Sequence, residues 1–114
     1  MHFAFRIAQG ATYFEPAAYA DYVQALADPA VIHAMCEDYR AGATYDVAAD
    51  EADRGVKKIA APTQVLWGAK GAVGHWYDVL EVWRPWCEDL RGQAIEGAGH
   101  FLAEEKPAET LAAL

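Results

Sequence analysis

Apolar residues in the first half of the chain recur at helical spacing in two adjacent segments. Pro16 opens the run PAAYADYVQALAD, in which apolar positions recur every three or four residues. In the second segment, Asp28 and Pro29 supply a cap and a first-turn proline for an apolar stripe that ends near Gly42. We therefore predict two helices that meet at a corner, with Asp28-Pro29 as the hinge. Residues 1–13 show no clear period and are predicted to be a frayed lead-in.

The connector over residues 44–58 changes from acidic to basic and has no strong apolar face. We predict a short solvent-exposed helix and a linker. Asp46, Asp50, Glu51 and Asp53 lack the spacing and the glycine of an EF-hand calcium loop, so a charged surface helix is the favoured interpretation.

From Ile59 onward the pattern changes to short apolar runs bounded by glycine. Residues 63–67, TQVLW, are closed by Gly68 and are typical of a buried parallel strand. After a turn at residues 91–92, residues 93–96 predict a second short strand. Two parallel strands make a poor sheet by themselves, because such sheets are normally larger and covered on both faces. The predicted fold class is therefore α/β with an incomplete sheet, the end of a sheet without its beginning.

Helices are predicted between and after the two strands. A flexible loop with Gly71 and Gly74 precedes a helix over residues 77–86, which Pro85 must interrupt or end. A closing helix is predicted over residues 104–114. The resulting strand–helix–strand order implies a right-handed parallel crossover.

Composition narrows the possible functions. The 114 residues are 54% hydrophobic and carry a net charge of −8, which indicates a globular chain without the basic clusters that nucleic acids and anionic membranes attract. No apolar run approaches the roughly 18 residues needed to span a bilayer. The chain contains neither Ser nor Asn, so a serine hydrolase cannot operate from this chain alone. Cys36 and Cys87 have no zinc-ligand spacing and are predicted to be reduced core residues in a cytoplasmic protein.

His100 is the strongest candidate for catalysis. It lies in a glycine-flanked loop, residues 97–101, just past a predicted strand end, where α/β folds place functional groups. The local sequence supports equally well a loop histidine that is hydrogen-bonded to the backbone. His33 and Glu37, four residues apart, lack a third metal ligand at sensible spacing. His75 is predicted to be exposed. The tryptophans Trp67, Trp83 and Trp86 are predicted to cover the core and the sheet.

Two sequence runs carry a resemblance to a known family. The strand TQVLWG, a helix, and a strand that ends in GAGHFLAEEKP resemble the last two strands of the α/β-hydrolase fold. The run HAMCEDYRAG at residues 33–42 resembles a cap-domain helix of haloacetate (fluoroacetate) dehalogenases, as do FEP at residues 14–16 and VLEVWR at residues 79–84. The resemblance covers roughly residues 14–114. It divides the chain into cap helices, an acidic connector and the C-terminal part of the hydrolase core, at residues 1–43, 44–58 and 59–114.

The resemblance also implies a reaction. In such dehalogenases an Asp displaces halide from the carbon next to a carboxylate, and a histidine then activates water to hydrolyse the resulting ester. Carried over by motif, His100 is the general base, and the Tyr39 hydroxyl donates to the departing halide. Without the motif, Tyr39 would be a core tyrosine on an amphipathic helix. Arg40 is predicted to be structural or ion-paired. The implied substrates are small 2-haloacids, with no cofactor and no metal.

The chain also departs from the family pattern. It has no G-x-[Ser/Asp/Cys]-x-G nucleophile elbow, and no carboxylate occurs in the segment 68–71 after the first strand. Asp78 lies too far into the next helix to serve as the acid partner of the histidine. We therefore expect the isolated chain to be inactive. Two alternatives stay open: a non-catalytic assembly fragment whose open sheet edge is covered by an N-terminal half or a second copy, and an epoxide hydrolase or esterase relative.

Overall fold

Three helices form the first half of the computed structural model, which describes residues 12–114. They are α1 (Pro16–Leu26), α2 (Pro29–Gly42) and α3 (Tyr45–Asp53). The Glu15 carboxylate caps α1 by accepting hydrogen bonds from the amides of residues 17 and 18, at 2.8 and 3.2 Å. The Asp28 carboxylate caps α2 through the amide of residue 30, at 2.8 Å. Helices α1 and α2 therefore each have their own start signal, whereas Thr44 before α3 makes no side-chain cap hydrogen bond. The predicted break between two helices at Asp28-Pro29 is confirmed. The predicted surface helix of the acidic connector is confirmed as α3, which is largely exposed.

The predicted lead-in, residues 1–13, lies outside the described residues except for its last two positions. Tyr13 packs against Phe14 with ring centroids 4.8 Å apart. Phe14 also contacts the rings of Tyr19 and Tyr22, at 5.9 and 5.8 Å. Phe14 thus joins Tyr13 to the start of α1 through aromatic contacts.

The second half of the chain contains the sheet. Its elements are β1 (Thr63–Gly68), α4 (Ala72–Trp76), α5 (Val79–Trp83), a 3₁₀ turn (Arg84–Trp86), β2 (Leu90–Ile95), α6 (Leu102–Glu105) and α7 (Pro107–Ala112). The strands pair in parallel, with Thr63 opposite Leu90 and Gly68 opposite Ile95. Helix α4 contacts β1, and α5 contacts β2. The predicted two-stranded parallel sheet, joined through a helical crossover, is confirmed.

Three details differ from the sequence-based expectations. Helix α4 replaces the predicted flexible loop, because Gly74 lies against the Trp67 indole, where an added Cβ would come within 3.0 Å of the ring. Residue Gly92 lies within β2 and not in a turn. Its missing side chain makes room for the Val65 carbonyl of the neighbouring strand. The predicted closing helix is divided at Lys106, whose backbone leaves the helical region with φ −143° and ψ 60°.

Burial is confined to the second half of the described chain. The buried apolar residues are Val79, Cys87, Ile95 and Ala98, whereas α1, α2 and α3 bury no residue. Cys36 is exposed, so its prediction as a core residue is wrong: α2 has no partner that covers it. Trp83 is 39% exposed and is likewise not a core residue. Within residues 12–114, no helix is both long and apolar enough to cross a membrane.

Candidate active site

The two strands end at the same edge of the sheet, and the loops that follow them are joined there. We call residues 97–101 the His loop. The amide of Ala69, just after β1, donates to the carbonyl of Ile95 at 3.0 Å, and the amide of Lys70 donates to the carbonyl of Ala98 at 2.8 Å. The carboxyl ends of parallel strands are where α/β folds bind ligands, so these bonds anchor the His loop in the expected position.

Glycine is required at two positions of this junction. Gly97 has φ +78°, in the left-handed region that glycine adopts without steric cost. Gly68, at the end of β1, faces the carbonyl oxygens of Ala98 and Gly99 so closely that an added Cβ would overlap them. The His loop therefore reaches its place only because the strand beside it ends in glycine.

The Glu105 side chain holds the His loop from the other side. Its Oε2 accepts a hydrogen bond from the Gly99 amide at 2.6 Å, and its Oε1 accepts one from the Phe101 amide at 3.0 Å. The amides of residues 104 and 105 in turn donate to the Phe101 carbonyl at 3.0 and 2.8 Å. Short α6 and the His loop thus form one hydrogen-bonded unit.

His100 is exposed at the centre of this loop. Its ring meets the Phe101 ring edge-on, with centroids 4.8 Å apart and an interplanar angle of 87°. Phe101 also contacts Phe14, at 5.7 Å, and so joins the His loop to the aromatic cluster at the start of α1. An exposed imidazole on a braced backbone can exchange protons with a bound molecule.

Helix α1 also contacts the His-loop region through a hydrogen bond. The Tyr22 hydroxyl on α1 donates to the Glu104 carboxylate at 3.0 Å. This hydrogen bond, together with the negative charge of Glu104, raises the pKa of Tyr22 above its ordinary value. Burial raises the pKa of Tyr13, and the charges of Glu105 and Glu104 add to the shift. Negative charge therefore collects beside the His loop, on α6.

Tyr39 is not in contact with His100. It lies on α2 and is 80% exposed. Its side chain makes no hydrogen bond, ion pair or ring contact with another residue in the described range 12–114. On the same helix Arg40 pairs with Glu37, which confirms the ion-paired prediction for Arg40. The halide-binding role of Tyr39 stays a prediction.

An acid partner for His100 is not found among the described residues. The Asp78 carboxylate caps α5, accepting from the amide of Glu81 at 3.1 Å. His33 and Glu37 lie 3.9 Å apart and are well exposed. Residues 12–114 contain no group of three or more side chains placed to hold a metal ion. His75 is exposed, as predicted.

An open cleft lies elsewhere in the described part of the chain. It has a volume of about 620 Å³ and is lined by residues of the acidic connector and by Trp83 and Trp86. Arg54 lies over the Trp86 ring, 5.9 Å from its centroid. Neither His100 nor Tyr39 lines this cleft.

Sequence reasoning missed two residues of the site. Glu105 entered the sequence analysis only within the run GAGHFLAEEKP, although a carboxylate five residues after the histidine, in a loop that contains Gly97 and Gly99, was a usable signal. Phe14 was recognised only as part of the FEP run. Its contact with Phe101 joins residues far apart in the chain and has no local signature.

Comparison with known proteins gives curated relatives that include a dehalogenase and an epoxide hydrolase. The fluoroacetate dehalogenase of a Burkholderia sp is 35% identical over 103 residues, which cover 90% of this chain and 33% of that protein. The soluble epoxide hydrolase of Corynebacterium sp. (strain C12) is 31% identical over 88 residues, which cover 77% of this chain and 29% of that protein. No family model matches the chain.

Solved structures agree with these relatives. A protein from Nostoc sp PCC 7120, described as an alpha/beta hydrolase, superposes with a TM-score of 0.83 at 50% identity over 92% of this chain and 35% of its own. A protein from Salmonella enterica, described as an acyltransferase, superposes with a TM-score of 0.80 at 36% identity over 91% of this chain and 34% of its own. The chain thus spans about a third of the length of the proteins it matches. In sequence and in fold it belongs to the α/β-hydrolases and corresponds to the C-terminal part of its relatives.

Proposed function

We propose that this chain supplies the cap helices and the catalytic histidine of a haloacetate dehalogenase-like hydrolase. The reaction is cleavage of the carbon–halogen bond of a small 2-haloacid through an Asp ester. The observation that carries the proposal is the placement of His100, exposed in a braced loop at the carboxyl end of the two strands. The 35% identity with a fluoroacetate dehalogenase supports the choice of substrate class.

His100 acts in the second half of this reaction. In the first half, an Asp carboxylate attacks the carbon that bears the halogen, a C–O bond forms and halide leaves. His100 then takes a proton from water as the water oxygen attacks the ester carbonyl, and the 2-hydroxyacid and the Asp carboxylate are released. General-base assistance of this kind contributes roughly 10²–10⁴-fold.

Tyr39 acts in the first half. Departing fluoride is strongly solvated in water, so an O–H donor must replace the lost water. The hydroxyl of Tyr39 has no hydrogen-bond partner among residues 12–114 and is exposed, and it is therefore available as that donor.

The nucleophile comes from outside these 114 residues, because the sequence has no nucleophile elbow. We propose that an N-terminal α/β-hydrolase core, on the same chain or a separate one, pairs with the open edge of the sheet and covers the apolar side of the cap helices. Large apolar side chains on α1 and α2 are exposed without such a cover: Tyr22, Val23 and Leu26 at 44, 50 and 44%, and Met35 at 44%. Exposed large apolar side chains on neighbouring helices support an interaction site there.

A chimera tests the proposal. Residues 14–114 replace the matching third of the Burkholderia fluoroacetate dehalogenase, and fluoride release from fluoroacetate is measured. We expect turnover, which His100→Gln reduces to a single burst of fluoride because the ester is no longer hydrolysed. Tyr39→Phe lowers the rate about 100-fold, the typical effect of losing one preorganised donor.

Two control variants of the chimera test whether the losses of rate are specific to His100 and Tyr39. His75→Gln and Tyr45→Phe alter an exposed histidine and a 78% exposed tyrosine of α3, and both should leave the rate unchanged. Equal losses in the controls would contradict the assigned roles. Robust fluoride release by the isolated chain, dependent on His100, would also contradict the proposal, since it would place the nucleophile within these residues.

Two further outcomes bear on the alternatives. The 31% identity with a soluble epoxide hydrolase favours epoxide hydration as the second candidate reaction, so a small epoxide is assayed beside fluoroacetate. If the chimera hydrates the epoxide and leaves fluoroacetate untouched, the dehalogenase assignment fails. Light scattering of the isolated chain tests what covers the open edge: a stable homodimer would favour a second copy over an N-terminal core.

A further inference from the structure

We infer that Glu105 is a positioning residue whose carboxylate fixes the backbone on both sides of His100. The inference rests on the proposed function of His100 as general base. Its geometric basis is independent of that function: one carboxylate accepts from the amides of Gly99 and Phe101, at 2.6 and 3.0 Å.

The two hydrogen bonds limit the motion of the residue between them. Each carboxylate oxygen takes one amide, and the two amides belong to the neighbours of His100. Hydrogen bonds to an ionised acceptor are roughly twice as strong as those between neutral groups. The Phe101 ring, edge-on to the imidazole at 4.8 Å, then restricts the side chain itself. Glu105 acts on the main chain and Phe101 on the ring.

Gly99 shows that the structure makes room for this carboxylate. An added Cβ at Gly99 would lie 3.0 Å from both oxygens of Glu105. Such a separation is tighter than ordinary van der Waals contact, so a larger residue would push the carboxylate off the loop. The glycine before the histidine therefore serves the approach of Glu105, with no requirement for a positive φ.

Glu105 is not the acid partner of a catalytic dyad. Both of its oxygens are directed at backbone amides, and no hydrogen bond joins it to the His100 ring. The adjacent carboxylate, Glu104, is bound to the Tyr22 hydroxyl at 3.0 Å. Two neighbouring glutamates therefore have separate partners, and Glu104 provides a matched control.

Amide hydrogen exchange of the full 114-residue chain, followed by NMR, tests the inference without any catalytic assay. In Glu105→Gln only one oxygen remains as an acceptor, so we expect the amide of Gly99 or Phe101 to exchange about tenfold faster, the factor for one lost charge-assisted hydrogen bond. Glu105→Asp keeps both acceptors and should restore part of the protection. Glu104→Gln should leave both amides unchanged.

Amides of the β1–β2 pairing provide the reference in the same spectra. If Glu105→Gln accelerates exchange equally along both strands, the residue has a general structural role and the inference fails. Unchanged exchange at both Gly99 and Phe101 would also overturn it.

The chimera adds a catalytic readout. Glu105→Gln should slow ester hydrolysis about tenfold while the first burst of fluoride and kcat/KM stay near wild type, because kcat/KM is set by the steps up to halide departure and only the later histidine step depends on the loop. A chimera without dehalogenase activity, combined with the expected exchange pattern, would refute the proposed function and leave Glu105 as the residue that fixes the loop.

Discussion

The three N-terminal helices, proposed above as cap helices, and the strand region of this chain are stabilised in different ways. Helices α1, α2 and α3 bury no residue. Side-chain N-caps hold the starts of α1 and α2, and ion pairs between residues three or four apart, such as Lys57 with Asp53 at the end of α3, add local stabilisation. The strand region contains the buried apolar residues, and its His loop is bound by residues from three separate elements. Local interactions are enough to form a helix, whereas an active-site loop needs partners that are distant in sequence.

The two regions meet at a small contact. Phe14 packs on Phe101, and Tyr22 binds Glu104 across 82 residues of sequence. The contact is partly polar and lies beside the His loop. It therefore couples the start of the cap to the proposed catalytic histidine, with little burial to stabilise it.

Truncation of a buried side chain should give the largest difference in stability between the two regions. Ile95 lies at the end of β2 and is 3% exposed. The Ile95→Ala variant should have a free energy of unfolding about 3 kcal/mol lower, because burial is lost and a cavity remains. Met35→Ala on α2, where the side chain is 44% exposed, should cost no more than about 0.5 kcal/mol. Urea unfolding followed by tryptophan fluorescence measures both. Equal losses would mean that the cap helices are covered to the same extent as the sheet.

Alanine substitution at two glycines should give the next largest difference in stability. Gly68→Ala places a Cβ against the carbonyls of the His loop and should cost about 2 kcal/mol, a typical penalty for overpacking. Gly42→Ala, at the end of α2, meets no atom within 4 Å and should be neutral or stabilising by up to about 1 kcal/mol. The same unfolding assay compares them. A neutral Gly68→Ala would show that the His loop is not held against β1.

The smallest effect concerns the contact between the two regions. The Tyr22 hydroxyl donates to Glu104, and this raises the pKa of Tyr22. The stabilisation that the hydrogen bond gives to the folded chain is fully present below pH 10.0, the ordinary tyrosine pKa. It is lost as the pH rises through the higher pKa of the folded state. In Glu104→Gln the tyrosinate absorbance of Tyr22 should appear at lower pH.

Subtracting the titration of Tyr22→Phe isolates this tyrosine. Glu109→Gln, which alters a carboxylate bound to Lys106, is the control and should leave the titration unchanged. If the pKa of Tyr22 is the same in Glu104→Gln as in the unchanged chain, the contact between α1 and α6 does not exist in solution.

Prediction from the sequence succeeded where the determinants are local. Asp28 followed by Pro29 is a start signal that needs no other part of the chain, and α2 begins there. The apolar run before Gly68 is likewise sufficient to indicate a strand. Prediction failed at Gly74. The glycine suggested a loop, but it lies within α4, where the Trp67 indole packs against it. Prediction also failed at Cys36, since an apolar helical stripe does not show whether anything covers it.

The order of helices and strands, the position of His100 after a strand and the lack of a nucleophile elbow could all be predicted from the residues alone. These features depend on spacing, capping and the identity of residues. The side chains that hold the His loop became visible only in the folded chain. Glu105, Gly68 and Phe14 come from separate parts of the chain, and they meet at the His loop only after β1 and β2 pair. The physical reason is that a hydrogen bond or a close approach between distant residues leaves no period in the sequence.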